Sequence, residues 1–451
     1  MSNFKPTSPK TSHIPDRSPS ISHQSSHASI HSHHHHSNSS SRKPSIVELL
    51  SSPPPLPQNN NNDDINILNL SRNNSVSSRT SLELFEVQLS ELIEKSKLIS
   101  INSDYSVQEA FETLKNHNLT SVPVSTTKDS GLINCLTFDY SDLNTYLLLI
   151  MNKISLKDLN SDFEGFSKDN FNNLVTKAKK GEEVPVDLII KLHPKNPFIK
   201  INENESLLTV MEILGNGVHR IAITNNENEI VGILSQRRLI RFIWDNARRF
   251  NNLEYYFNQS IEDLKIGSTN PITIYEDQQL IEALYKMFYE RISSLAVIDR
   301  KGFLIGNISI VDVQNITSSQ NSHLLFKSVL NFISYNLSQK GIEEGKDQFP
   351  IFHVNKSTGL GRIIAKLVAT QSHRLWIVEN TGSNNNSSFD DSLNDSGKPG
   401  NLIGVVTLTD IIGFLASIKS NGKIDPQFAR NQRRRSSTST RSSIDNSEFR
   451  K

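Results

Sequence analysis

The sequence predicts an α/β fold of four βαββα repeats paired into two modules, flanked by tails of open composition, and three observations predict it. Apolar residues recur at helical spacing in four places: Val107, Ala110, Phe111 and Leu114; Leu207, Val210 and Leu214; Leu280, Ala283, Leu284, Met287 and Phe288; Leu360, Ile363, Ile364 and Leu367. Two short runs of β-branched and other apolar residues follow each stripe, such as Leu295-Ala296-Val297-Ile298 before Gly306-Asn307-Ile308, or Leu375-Trp376-Ile377-Val378 before Gly404-Val405-Val406. The second run then leads into Ser/Thr-x-x-Asp, seen at Ser309 to Asp312 and at Thr407 to Asp410, which opens a further apolar helix. A unit that recurs in this way sets the architecture before any single motif does.

Taken in order, residues 1–80 are dominated by Ser, Pro, Asn and His and bury too little apolar surface to offset the entropy of ordering, so they form a disordered tail. Within it, His31-Ser32-His33-His34-His35-His36 is low-complexity sequence rather than a metal site. Ser45-Ile46-Val47-Glu48-Leu49-Leu50, ahead of Pro53-Pro54-Pro55-Leu56-Pro57, reads either as a chance apolar patch or as a docking motif that folds on a partner. The first repeat spans 81–160; Leu82, Phe85, Leu89, Leu92 and Ile93 predict a helix leading into it, and Ser106 with Glu109 predicts a capping box on its main helix. An insertion at 161–190, carrying the charged stretch Lys177 to Glu183, is too long for a simple connection and predicts a helical elaboration. Repeats two, three and four follow at 191–258, 259–322 and 323–420, the last interrupted by an Asn/Ser/Asp/Gly-rich loop at 381–401. A basic, Ser-rich tail occupies 421–451.

Composition excludes several classes. A formal net charge of +1 gives no global case for a nucleic-acid or membrane partner. Cys135 is the single cysteine, which rules out an intrachain disulfide and a cysteine zinc site, and its apolar surroundings predict a core residue rather than a nucleophile. The first residues lack the apolar core of a secretory signal, and the apolar run Tyr146 to Met151 is far too short to span a bilayer, so a cytoplasmic and nuclear location is expected. The sequence contains no Gly-x-x-x-x-Gly-Lys-Ser/Thr, no His-Glu-x-x-His and no Gly-x-Ser-x-Gly, and the reading is a binding protein, not an enzyme.

Across roughly Leu82 to Lys419 these repeats resemble cystathionine-β-synthase (CBS) domains, units that pair into modules and often bind adenine nucleotides. Val218-His219-Arg220-Ile221-Ala222-Ile223 and Ser372-His373-Arg374-Leu375-Trp376-Ile377 are similar to the γ subunit of AMP-activated protein kinase. Four such repeats between Ser/Pro-rich ends resemble the fungal Moc/Sds family, described as inhibitors of type 2A-like protein phosphatases acting in nutrient response, mitosis and cell separation.

The resemblance implies that Asp142, Asp312 and Asp410 take the ribose-binding position, with hydroxyls from Ser309 and Thr407; Asp139 replaces the hydroxyl residue in repeat one. In repeat two Arg238 stands where the aspartate is expected, and Arg237 is assigned instead to a phosphate in the neighbouring cleft with His219 and Arg220, while His373 and Arg374 join Asp312 and Asp410 in the best constellation. The chemistry is reasonable: a helix N-terminus offers unpaired amides, a carboxylate there can accept both hydroxyls of a ribose, and phosphates need cationic partners. AMP, ADP or ATP are then regulatory ligands, with no cofactor required. The plainer alternative also stands, because an aspartate at this position is an ordinary helix cap worth about 1 kcal/mol, and a basic residue before a strand is often a solvated edge group.

The expected partners are type 2A-like phosphatase catalytic subunits, and kinases acting on tail sites such as Ser8, Ser18, Ser52, Ser75 and Ser436-Ser437. The alternative is an adenine-nucleotide-sensing scaffold or kinase-regulatory subunit. Leu89 to Glu94 and Arg238 to Phe242 resemble phosphatase docking peptides, yet both fall on amphipathic stretches whose apolar residues are expected in the core.

Overall fold

Every repeat opens with a short strand that runs parallel to the strand after its helix, and that strand turns back antiparallel to a third. This is the arrangement in a computed structural model of the chain, which describes residues 83–93, 98–125, 135–155, 158–159, 168–192, 198–250, 253–316, 321–344, 353–379, 400–420 and 424–431. Repeat one consists of β1 (Ile101–Asn102), α1 (Val107–Asn116), β2 (Ser121–Ser125), β3 (Cys135–Asp139) and α2 (Tyr140–Ile150), followed by α3 (Lys168–Lys179) and α4 (Val186–Leu192). Repeat two is β4 (Lys200–Asn202), α5 (Leu207–Gly215), β5 (Arg220–Thr224), β6 (Ile230–Ser235) and α6 (Gln236–Asp245). After α7 (Leu253–Asn258) and β7 (Ser268–Thr269) comes repeat three: β8 (Thr273–Tyr275), α8 (Leu280–Glu290), β9 (Ser294–Ile298), β10 (Leu304–Ser309) and a 3-10 turn, Ile310–Asn315, in place of the last helix. Then α9 (Val329–Glu344) leads to repeat four: β11 (His353–Val354), α10 (Leu360–Thr370), β12 (Arg374–Glu379), β13 (Asn401–Thr407) and α11 (Leu408–Ser417).

The helical stripes bury as their spacing requires; Ala110, Leu114, Leu207, Leu214, Leu280, Ala283, Leu360 and Ile363 have no exposed surface. Ser106 and Glu109 form the expected capping box, the Ser106 N–H donating to Glu109 Oε2 at 2.8 Å and the Glu109 N–H to Ser106 Oγ at 3.2 Å. In all four sheets the residue that starts the second strand lies opposite the residue that caps the final helix or turn: Ser121 with Asp139, Arg220 with Ser235, Ser294 with Ser309, Arg374 with Thr407. That register carries the group at the strand start to the helix N-terminus in each repeat.

The cores cross between modules. One joins repeats one and three, packing Phe138, Leu143 and Leu148 with Ile274, Leu284 and Met287. Another joins repeats two and four, packing Leu207, Met211 and Leu239 with Ile363, Leu408 and Ile412. There α5 and α11 approach so closely that a Cβ on Gly215 would lie 2.7 Å from the Gly413 Cα, which is why neither position takes a side chain. A smaller cluster of Ala296, Leu304, Trp376 and Val378 links the sheets of repeats three and four. β7, lying just before β8, adds an edge strand to the sheet of repeat four, and Gly404 is needed where its Cα faces the Ser268 carbonyl.

The helix expected over 82–93 does not form in the described part of that stretch. The chain makes 3-10 turns at Leu84–Glu86 and Leu89–Leu92 with extended Val87 between them. The reason is that Leu84, Val87, Leu89, Leu92 and Ile93 are all buried, a set too wide for one helical face, and they pack on α5 and α6 of repeat two rather than on repeat one. The insertion after repeat one is helical, as expected, and part of it is core: α4 buries Val186, Leu188, Ile189 and Leu192, while Lys177 and Lys179 to Glu183 stay at the surface. The histidine run, the apolar island at Ser45 to Leu50, the polyproline stretch, the tail serines and residues 381–399 of the fourth-repeat loop lie outside the described residues. Among the described residues no helix is long and apolar enough to cross a membrane.

Candidate functional site

Three aspartates do the same local work. Asp142 Oδ2 accepts from the Asp139 N–H at 2.8 Å, Asp312 Oδ2 from the Ser309 N–H at 2.7 Å, and Asp410 Oδ2 from the Thr407 N–H at 2.9 Å. The capping residues reciprocate: Asp139, Ser309 and Thr407 accept amides of the first turn, and in repeat two Ser235 accepts the Arg238 N–H at 3.3 Å. A second lock recurs one residue before the strand. The carbonyls of His219, Ser293 and His373 accept the first amide of the following helix or turn, from Gln236 at 3.0 Å, Ile310 at 2.9 Å and Leu408 at 3.0 Å. In repeats two, three and four, strand start and helix start are thereby tied into one corner.

Beyond the shared cap the aspartates differ. Asp142 has 0% exposed surface, Asp410 has 5%, and Asp312 is partly exposed. Asp410 also takes the Thr407 hydroxyl at 2.7 Å and a forked pair from Arg430, with Nη2 to Oδ1 at 2.5 Å and Nη1 to Oδ2 at 3.2 Å. Repeat one is tied to repeat three above Asp142, where the Tyr140 hydroxyl donates to Gln314 Oε1 at 3.2 Å. Repeat two is tied to repeat four by buried Gln236, whose amide donates to Thr409 Oγ1 and to the Leu214 carbonyl, each at 2.9 Å.

The basic residues of repeats two and four converge. His373 keeps solvent contact, but the protein around it and then the charges of Arg374, Arg237 and Arg220 push its imidazole down to about 4. Burial, then the nearby Arg430 charge, lowers Arg374 to about 10. Burial also lowers Arg220; Asp139 opposes that shift and Arg237 reinforces it. Arg237 is lowered by burial and then by Arg241. Guanidinium groups do not shed their protons near neutral pH, so the crowding persists as mutual repulsion. Each module adds a matching contact: Arg220 Nη2 donates to Thr120 Oγ1 at 3.5 Å, and Arg374 Nη2 to Ser293 Oγ at 2.5 Å. Each of these bonds uses one of five guanidinium donors.

The structure therefore brings Arg220, Arg237, His373 and Arg374 together, with His219 exposed beside Arg220, while Ser309 with Asp312 and Thr407 with Asp410 stand at two separate caps. No motif marks Thr120 and Ser293, although alignment of the repeats places them at the histidine of His219-Arg220 and His373-Arg374. Arg430 carries no such signal. The two docking-like peptides supply core instead, with Leu89, Leu92 and Ile93 buried in one and Leu239 and Ile240 in the other. Cys135 is buried and desolvation raises its thiol to about 11, the state of a packing residue. Among the described residues no cluster of His, Cys, Asp and Glu is suited to a metal.

Comparison with known proteins agrees with this geometry. The CBS domain family matches residues 89–139, 189–245 and 261–317, which fall on repeats one to three with the second beginning two residues before repeat two; repeat four shares their strand order. Protein SDS23 of Scheffersomyces stipitis is 60% identical over 440 residues, covering 85% of this chain and 83% of that protein. Protein SDS24 of Saccharomyces cerevisiae is 42% identical over 430 residues, covering 77% and 79%. A crystal structure from Methanocaldococcus jannaschii, of a proposed archaeal homologue of γ-AMPK, superposes with a TM-score of 0.51 at 14% identity, over 73% of this chain and all of that one.

Proposed function

The chain belongs to the SDS23/SDS24 family and is a CBS-domain regulatory protein, and we propose that it is a noncatalytic one that responds to adenine nucleotides and restrains a type 2A-like Ser/Thr phosphatase in the cytoplasm and nucleus. One observation carries the nucleotide half: Arg220, Arg237, His373 and Arg374 crowd together where repeats two and four meet, so the unliganded protein holds concentrated positive charge that a phosphate chain would neutralise. Asp312, partly exposed at a helix-type N-terminus in the same module as Arg374, supplies a carboxylate for a ribose. AMP, ADP and ATP share both features, so the site selects the class rather than the member. The phosphatase half rests on the family resemblance, with tail phosphorylation by kinases as its control.

Calorimetry of the full chain with AMP, ADP and ATP tests the first half: binding is expected, and Asp312→Ala should abolish or strongly weaken one site without unfolding the protein. Assay of a purified type 2A-like catalytic subunit against increasing amounts of this chain tests the second, with dose-dependent inhibition expected. Kinase copurification in place of phosphatase binding would favour the other reading, a kinase-regulatory subunit; the His-Arg pairs that start β5 and β12 are the observation on its side.

A further inference from the structure

The Asp410 corner already has an occupant. Residues 424–431, which follow α11 and begin the segment expected to be an open tail, fold back over repeat four in a short helical turn. Arg430 at its end makes the forked pair with Asp410, and its Nη1 also donates to Thr407 Oγ1 at 3.3 Å. Asp410 is almost wholly buried and Arg430 three-quarters so, at 5% and 25% side-chain exposure, which sets this pair apart from the solvated ion pairs elsewhere on the surface.

Other contacts anchor the segment. The Asp425 N–H donates to Asn216 Oδ1 at 3.3 Å, at the end of α5, and the Gln427 amide donates to the Gly267 carbonyl at 3.2 Å, just before β7. Ile424 packs on the core shared by repeats two and four. Pro426 sits over Gly413, where an added Cβ would come within 2.9 Å of its Cγ. One turn of helix is unstable by itself, so these contacts and the Arg430 fork are what hold the segment in place. Such an element can leave at modest cost.

We propose that residues 424–431 are a latch whose Arg430 fills the ribose position at Asp410 and Thr407, so that a nucleoside and the latch exclude each other there. The carboxylate oxygens that would accept a ribose diol are those the guanidinium now holds. The identity of the competing ligand rests on the nucleotide reading above; the latch does not. Arg430 also places a further positive charge near Arg374, and Asp410 is what holds it there against that repulsion.

Hydrogen exchange of the full chain, read alongside AMP binding, tests this. Arg430→Ala and Ile424→Ser should each speed exchange across 424–431 by roughly ten-fold or more, with the four sheets unchanged. Arg430→Lys, which keeps the charge but loses the fork, should fall between them and wild type. Both releasing variants should bind AMP roughly ten-fold more tightly at a site that Asp410→Asn removes. Unprotected 424–431 in wild type, or protection unchanged in Arg430→Ala, overturns the latch. Equal AMP affinity at that site in wild type and the releasing variants overturns the exclusion. Loss of protection with no AMP binding by any variant sustains the latch and overturns the nucleotide reading instead.

Discussion

Asp142 and Asp410 stand at equivalent places in repeats one and four, cap their helices through equivalent bonds of 2.8 and 2.9 Å, and share little else. Asp142 is sealed beneath the contact between repeats one and three, while Asp410 opens onto a corner wide enough to admit an arginine. Asp312 lies between them, capping a 3-10 turn and keeping part of its surface in solvent. The aspartate cap is thus common to repeats one, three and four, and how open it stands is decided by what the rest of the fold places over it. The same holds at the strand starts. Repeats one and three present Thr120-Ser121 and Ser293-Ser294, which receive guanidinium groups; repeats two and four present His219-Arg220 and His373-Arg374, which supply them.

The largest effect that sharpens this comparison is on stability. Asp410→Ala removes a cap and the anchor of residues 424–431, letting Arg430 swing into solvent, and should cost about 2–3 kcal/mol by urea unfolding. Asp142→Ala loses the cap and should cost about 1–2 kcal/mol. Equal losses would erase the distinction between the two corners. Gln236→Ala should cost about 1–2 kcal/mol, because the Thr409 hydroxyl and the Leu214 carbonyl lose a buried donor where repeats two and four meet. An exposed polar substitution of the same kind, such as Gln108→Ala on α1, should cost much less.

The smallest effect is on pH dependence. His373 falls from 6.5 to about 4 in the folded chain, so between those values the unfolded chain binds more protons. Stability therefore drops as pH falls through that window, and His373→Gln should flatten the slope in unfolding curves recorded from pH 7 to 4. A phosphate chain bound beside His373 should raise its pKa, so binding near pH 5.5 should take up protons in the wild type and not in His373→Gln. Calorimetry in buffers of different ionisation enthalpy reads this directly.

Much of this was legible in the sequence because it is local. The stripe Val107, Ala110, Phe111 and Leu114, the Ser106 capping box and the cap at Thr407 to Asp410 each depend on residues within a turn or two, and the repeat gives four chances to see the pattern. The 84–93 stretch misled because its apolar residues serve two helices of repeat two at once, which their spacing alone does not reveal. Arg430 was invisible for a related reason: its partner lies 20 residues away on a corner that exists only after α11 has packed on α5. The crossing of cores between repeats one and three, and two and four, is likewise a tertiary choice, since every repeat presents a similar apolar face.

The central claim is that the converging basic residues of repeats two and four form a phosphate site. Calorimetric titration of the full chain with ATP, beside Arg220→Ala, Arg374→Ala and the surface control Arg300→Ala, tests it most directly. The account predicts binding by the wild type and the control, and affinity lower by roughly 10- to 100-fold in each of the other two. Absence of binding by the wild type, or unchanged affinity in both Arg220→Ala and Arg374→Ala, would contradict it.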